Sequence, residues 1–390
     1  MLTELDLTTF KCFSRLTLPL APLTILSGRN SSGKSSILQS ILLLHQTAVE
    51  SEWSEELRLN GRMMALGTAR DVVDKVHGHL DFSIGLSTRE ATARWTFRSE
   101  DRAALSAKIR QLDVGPRGAP PEVSMGSDEP KRYLLPHGPG APPGSASLAE
   151  ALQSIQYVSA ERMGPRETYP LLEPTVRAVG ARGENVPSIL YWLGDEAAAP
   201  RLLTDRAPPT LRRQLEARMG DFFPGCGLDV QLVPMANQLT LALRMDSATS
   251  FHRPQHVGFG LTQTLPILMA PLVAREGETI LLENPEIHLH PSGQSQIGRF
   301  LAEVASKGTQ VLVETHSDHV LNGIRRAVRD GLLPPDQLAI HFLSRTEGQS
   351  APALLTPRID RRGRIEQWPD GFFDQLDRDL MELADWGEDG

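Results

Sequence analysis

Between a short apolar run, Leu23-Thr24-Ile25-Leu26, and a stretch of helical periodicity stands Gly28-Arg29-Asn30-Ser31-Ser32-Gly33-Lys34-Ser35, followed by Ser36. Gly28 and Gly33 free the backbone to turn, so that its N–H groups can close around phosphate oxygens. Lys34 places a compact positive charge at the β/γ-phosphates, and Ser35 offers a hydroxyl to Mg²⁺. A helix beginning at Lys34 points its positive dipole end at the same anion. The strand before and the helix after separate this pattern, a Walker A loop, from an ordinary glycine-rich turn. Gly28, Asn30, Ser31, Ser32, Gly33, Lys34, Ser35 and Ser36 are therefore the expected phosphate-binding residues.

Three further segments carry polar groups that could serve a nucleotide. Ile280-Leu281-Leu282-Glu283-Asn284-Pro285-Glu286 reads as a buried strand beside the P-loop strand, ending in a carboxylate, Glu283, that can hold Mg²⁺ through water. Gln310-Val311-Leu312-Val313 runs into Glu314-Thr315-His316-Ser317, and a histidine at the end of a neighbouring parallel strand can face a γ-phosphate. Gly258-Phe259-Gly260-Leu261-Thr262-Gln263 is a glycine turn with a hydroxyl at a helix start, an anion-binding design in its own right, which makes Gly258, Gly260, Thr262 and Gln263 candidates for the nucleotide.

These residues need a scaffold, and its outline follows from periodicity. Ile37, Leu38, Ile41, Leu42 and Leu44 share one broad helical face from Lys34 to about Val49. Residues 1–27 read as strands, 79–98 and 228–245 as hairpins, 148–220 as mixed and mainly helical, and 258–274 and 291–306 as helices. Strands alternating with helices in 255–325 imply a mostly parallel sheet. Residues 113–147 are so rich in glycine and proline that they read as a loop or disordered insertion. No stretch carries sustained heptads, which excludes a long coiled coil. The expected division is an N-terminal lobe (1–112), the Pro/Gly-rich loop (113–147), a helical insertion with a β-hairpin (148–250), a C-terminal lobe (251–345) and a tail domain (346–390).

Composition sets the boundaries of function. The 390 residues are 40% hydrophobic and 23% charged, ordinary for a soluble globular chain. No apolar run is long enough to span a bilayer, the first residues lack a secretory pattern, and two cysteines, Cys12 and Cys226, make no disulfide framework. The expectation is a cytoplasmic protein without a membrane partner. A net charge of -8 argues against a broadly basic surface, so DNA binding is expected to be weak at most.

The four segments, in this order, resemble the ABC-type ATPases that dimerise around nucleotide, a group that includes SMC and OLD-like proteins. The resemblance covers roughly residues 1–50 and 250–345. Gly-Arg-Asn-Ser-Ser-Gly-Lys-Ser-Ser, Arg162-Met-Gly-Pro-Arg166, Gly183-Glu-Asn185, Glu-Asn-Pro-Glu-Ile-His-Leu-His-Pro and Trp368-Pro-Asp-Gly-Phe-Phe more closely resemble a bacterial AAA-family ATPase with a C-terminal domain of unknown function. The resemblance implies an α/β ABC-type P-loop head with a mostly parallel sheet, an antiparallel β subdomain and a helical insertion. It also implies ATP and Mg²⁺ as cofactors, 258–263 as the signature segment that reaches a γ-phosphate on the opposite subunit, and His316 as the switch histidine. Relatives of this kind often lie in antiphage defence loci beside a nuclease or other effector.

One position departs from that pattern. The Walker B acid of ABC-type ATPases is followed directly by the catalytic glutamate, and here that place holds Asn284. An amide cannot accept a proton from attacking water. Either Glu286 takes the role or hydrolysis is slow, so Glu283, Asn284, Glu286 and His316 form the expected catalytic set. No clear Q-loop is found, with Asp71 only a loose candidate, and the His288/His290 pair is expected at an interface or in a structural role. The reading that follows is a slowly hydrolysing, ATP-gated dimer that regulates or senses for a separate effector. The alternative is an SMC/OLD-like ATPase of DNA repair or DNA-end processing without its own nuclease. A transporter motor and a small-molecule kinase fit less well, because the two glycine segments are far apart and no lid or acceptor site is evident.

Overall fold

The computed structural model describes residues 1–73, 80–125, 131–246, 248–345, 351–366, 368, 372–373, 379 and 381. Strands β1 (Glu4–Phe10), β2 (Phe13–Pro19) and β3 (Leu23–Gly28) lead into helix α1 (Lys34–Glu50). Then come β4 (Glu56–Arg58), the short α2 (Ala69–Val72), β5 (Asp81–Ser87), β6 (Ala91–Arg98), β7 (Ser106–Pro116), β8 (Val123–Met125), β9 (Lys131–Arg132) and β10 (Leu135–Pro136). The middle of the chain supplies α3 (Ser145–Gln153), β11 (Ile155–Val158), β12 (Tyr169–Pro170), α4 (Val186–Leu193), α5 (Leu211–Gly220), β13 (Gly227–Val233) and β14 (Gln238–Arg244). The rest is α6 (Phe259–Val273), β15 (Thr279–Glu283), α7 (Pro291–Ser306), β16 (Gln310–Glu314), α8 (Asp318–Arg329), β17 (Leu338–Ser344) and β18 (Ala353–Leu355). Among the described residues no helix is long and apolar enough to cross a membrane.

The central sheet has the order β11-β15-β16-β3-β17-β18 and is parallel except for β18. Its strands read as continuous apolar runs because both faces are covered. Alternation then assigns the faces. Ile25, Ile280, Leu282, Val311 and Val313 join the core that contains α6, α7 and α8. Leu26, Leu281 and Leu312 join the other core, with α1, α3 and the antiparallel sheet β2-β1-β5-β6-β7-β4. The sequence reading placed the Glu283 strand beside the P-loop strand. The structure corrects this: β16 lies between β3 and β15, and the register Glu283↔Glu314↔Leu26 puts Glu314 next to the loop.

Two other expectations change. The 79–98 hairpin is present as β5 and β6 but is the middle of the larger antiparallel sheet, with β1 on one side and β7 on the other. Within 113–147, expected as a loop, the described residues carry the end of β7, then β8, β9, β10 and the start of α3. β7 survives the glycines and prolines that follow because Leu112 and Val114 bury against the second core. The 228–245 hairpin appears as β13 and β14, joined by β12 in a small separate sheet.

Candidate active site

The segments at 28–35, 283–286 and 314–317 lie at the C-terminal ends of the central strands β3, β15 and β16, which is where parallel α/β sheets gather their ligands, whereas the 258–263 segment opens α6. The glycine loop of residues 28–35 joins β3 to α1. Gly28 has φ +143° and Gly33 φ +98°, values that side chains resist. A Cβ at Gly28 would stand 2.1 Å from the Leu343 carbonyl oxygen on β17, and one at Gly33 would stand 2.7 Å from Cys12 Sγ and from the Phe13 ring. Sterics therefore require both glycines. Asn30 and Ser31 are exposed at the tip, Ser31 with φ 62°, while Ser36 faces inward and hydrogen-bonds the Cys12 thiol. The first turn of α1 carries no acidic residue of its own, and its N-cap, Gly33, makes no side-chain capping bond.

Lys34 is 3% exposed and donates to the carbonyls of Gly28 (2.9 Å) and Arg29 (2.8 Å), holding the ammonium inside the loop. Burial lowers its pKa, and Glu314 opposes that shift. Ser35 Oγ donates to Glu314 Oε1 at 3.1 Å. Two buried polar atoms here have no partner, Ser32 Oγ and Glu314 Oε2. A buried acceptor or hydroxyl left unpaired is costly, and together with the glycine-lined loop and the Lys34 charge it fits a phosphate-bound cation. Burial, with Glu283 next in effect, pushes the Glu314 carboxyl up to about 7.

Glu283 is engaged on the β11 side. Its carboxylate accepts from the Ala160 backbone N–H at 3.3 Å and from the Tyr157 hydroxyl, and burial raises its pKa. Tyr157 sits on β11, which pairs directly with β15. Asn284 adopts φ 43°, a left-handed conformation that asparagine tolerates better than most residues. Its side chain donates to Glu286 Oε1 at 3.3 Å. Glu286 also accepts from Thr315 Oγ1 (2.8 Å) and from the His316 backbone N–H (3.0 Å). Glu286 thus ties the turn after β15 to the turn after β16. His316 stands within the field of Lys34 and Glu286. Partial burial, reinforced by Lys34, lowers its pKa, and Glu286 opposes.

The glycine segment opens α6. Gly258 is its N-cap and has open space around it, and Phe259 is 55% exposed. Thr262 and Gln263 differ from expectation. Both are buried, Thr262 Oγ1 donating to the Phe259 carbonyl (3.0 Å) and Gln263 Nε2 to the Arg162 carbonyl (3.4 Å). Only Gly258, Phe259 and the partly covered Gly260 present this segment to the outside. His290 caps α7 by accepting from the Ser292 N–H, and the His288 ring packs on Phe259, so both histidines have structural partners. Asp71 closes a capping box with Thr68 on α2.

Two residues quoted within motifs were given no site role from sequence. Glu314 ends an apolar strand, and only the sheet order reveals that it touches Ser35. Arg162 is 5% exposed, and its guanidinium donates to the carbonyls of Ser159 (3.1 Å), Glu283 (2.9 Å) and Asn284 (2.9 Å). Burial lowers its pKa to about 10, with Glu286 and Glu283 opposing. No spacing rule points to such a residue.

Comparison with known proteins agrees with the fold. Residues 1–83 match the family described as AAA ATPase domain. Residues 236–322 match an AAA domain family whose description names the AbiEii toxin and a type IV TA system. Residues 333–383 match a protein family of unknown function, DUF3696. The OLD nuclease of Thermus scotoductus is 26% identical over 331 residues, which are 81% of this chain and 59% of that protein. The chain therefore spans well under two thirds of that relative. Among solved structures, an SMC head bound to the C-terminal winged-helix domain of ScpA aligns with TM-score 0.57 at 14% identity, covering 92% of this chain and 98% of that one. A Pyrococcus furiosus SMC head with an extended coiled coil, bound to the C-terminal domain of ScpA, aligns with TM-score 0.54 at 12% identity, covering 98% and 99%.

Proposed function

We propose that this chain, an ATPase of the ABC/SMC/OLD-like class with a C-terminal region of unknown function, is a slow ATP-gated switch that dimerises around nucleotide and governs a separate effector. The Walker A loop carries the reading: Lys34 and the backbone of 28–36 receive the phosphates, and Ser35 holds the Mg²⁺ side. Mg²⁺ held there would supply neutralisation of phosphate charge. Asn284 supports slow turnover, because it stands beside Glu283 where a general base belongs and carries only an amide. Glu286 lies two residues on and contributes to orienting the turn that receives the attacking water. His316, within the field of Lys34, is placed to sense the terminal phosphate.

The exposed start of α6 supports a composite site. Gly258 and Phe259 offer an uncapped helix end to a second subunit, and a ligand that binds the dimer selectively stabilises it by mass action. The type IV TA wording of one matching family and the OLD nuclease relative support a role in bacterial antiphage defence beside an effector such as a nuclease. The same relative favours DNA-end processing as the second reading, and tight DNA binding by the isolated chain at physiological salt would select it. The test of the first is nucleotide binding by calorimetry. Lys34→Ala is expected to abolish ATP binding, and unchanged affinity in that variant would remove the basis of the proposal.

A further inference from the structure

Four carboxamide or carboxylate side chains converge on the C-terminal ends of β15 and β16: Glu283, Asn284, Glu286 and Glu314. Only one of them is shown bonded to the Walker A loop. Glu283 is engaged by Tyr157 and Ala160 on the β11 side. Glu286 is occupied by Thr315, His316 and Asn284. Glu314 alone contacts a loop residue, through Ser35 Oγ at 3.1 Å, and its other oxygen is buried without a partner in a side chain that is 5% exposed.

Mg²⁺ keeps several waters and takes one or two carboxylates besides substrate phosphates. A hydroxyl that donates its hydrogen to a carboxylate leaves its lone pairs for a metal, and outer partners of this kind fix the ligand's orientation. Resting on the nucleotide-binding reading above, we propose that Glu314, rather than the strand-end acid Glu283, is the carboxylate that serves the divalent cation in this chain. Oε1 orients the Ser35 hydroxyl, and Oε2 accepts a hydrogen bond from cation-bound water. The division of labour follows from sheet order. With β16 interposed between β3 and β15, the acid ending β16 is one strand nearer the loop than the acid ending β15.

The experiment uses the full chain loaded with a non-hydrolysable ATP analogue and titrated with Mn²⁺, bound metal being read by electron paramagnetic resonance. Nucleotide binding without metal is measured in parallel. Glu314→Gln is expected to weaken Mn²⁺ binding by about 10–100-fold while metal-free nucleotide binding persists, and Glu283→Gln is expected to weaken it less. Glu314→Asp, which keeps the charge but withdraws the oxygen from Ser35, should also lose Mn²⁺ affinity and serves if the glutamine variant does not fold. Unchanged Mn²⁺ affinity in a folded Glu314 variant, with the large loss in Glu283→Gln, would overturn the assignment while leaving nucleotide binding intact. A wild-type chain that binds no nucleotide with or without metal would overturn the Walker A reading instead.

Discussion

Gln263, in the second turn of α6, donates to the backbone carbonyl of Arg162 at 3.4 Å, and the Arg162 guanidinium holds the carbonyls that follow β15. The glycine segment and the Walker B turn are thereby fastened through one buried side chain. Removing it leaves the Ser159, Glu283 and Asn284 carbonyls short of their donor. Arg162→Ala is expected to cost about 2–4 kcal/mol of stability, hydrogen bonds to charged groups being the stronger kind. Urea denaturation measures this, and a change under about 0.5 kcal/mol, the range of an ordinary surface substitution, would show that the clamp is not structural.

Turnover separates the roles of Glu286 and Asn284. Glu286→Gln should lower hydrolysis by about 10-fold or more while ATP binding persists, because an amide cannot satisfy the Thr315 and His316 donors with both of its atoms. Asn284→Glu should raise turnover if its new carboxylate reaches the water. A fast wild-type rate, on the order of tens per second, that stays unchanged in Glu286→Gln would contradict both the slow switch and the part given to Glu286.

Complementation tests the composite site. A Cβ at Gly258 meets nothing within 4 Å, so Gly258→Asp should fold normally while placing a negative charge where a phosphate is expected. Gly258→Asp and Lys34→Ala subunits should each be inactive alone, and their mixture should regain ATPase activity through one intact site per dimer. Sedimentation should show ATP-dependent association of the wild type. A mixture no more active than its two components would argue that each site is completed within one subunit.

Acid sensitivity follows from His45. Its Nδ1 lies 2.6 Å from the Leu152 carbonyl and its Nε2 is buried without a partner. Burial lowers its pKa from 6.5 to about 4. The folded value lies below the unfolded one, so between pH 4 and 6.5 the unfolded chain binds more protons. The corresponding stability is complete above about pH 6.5 and falls as pH drops, by about 3 kcal/mol at pH 4. Denaturation of wild type and His45→Gln from pH 7 to 4 should show a smaller pH dependence in the variant. Parallel curves would assign the acid sensitivity elsewhere.

The loop around Lys34 was legible because its chemistry is local: glycines, a lysine and a hydroxyl at fixed spacing between a strand and a helix. The strand cores were legible because Ile280-Leu281-Leu282 and Val311-Leu312-Val313 are too apolar to be anything but covered. Lateral order was not, since nothing in either run says which one lies against β3. Glu314 was lost for that reason. β7 was hidden by a register shift, where Thr96 pairs with Gln111 and Phe97 with Ile109. Skipping Arg110 breaks the period of two that identifies a strand. β11 has only four residues, and Gln156 interrupts its apolar pattern while serving as a buried hydrogen-bond partner.

The close approach of Gly28 to the Leu343 carbonyl has a consequence for how this chain can change by descent. The first glycine of the phosphate loop is confined both by its dihedral angle and by a backbone atom of β17, which lies inside the region matched by the family of unknown function. A side chain at position 28 would need β17 to withdraw, and no substitution of Leu343 can achieve that, because the obstacle is main chain. Position 28 is therefore held to glycine for as long as β17 keeps this placement. A C-terminal region that placed β17 farther from the loop would lift the steric part of that restriction and leave the dihedral part in force.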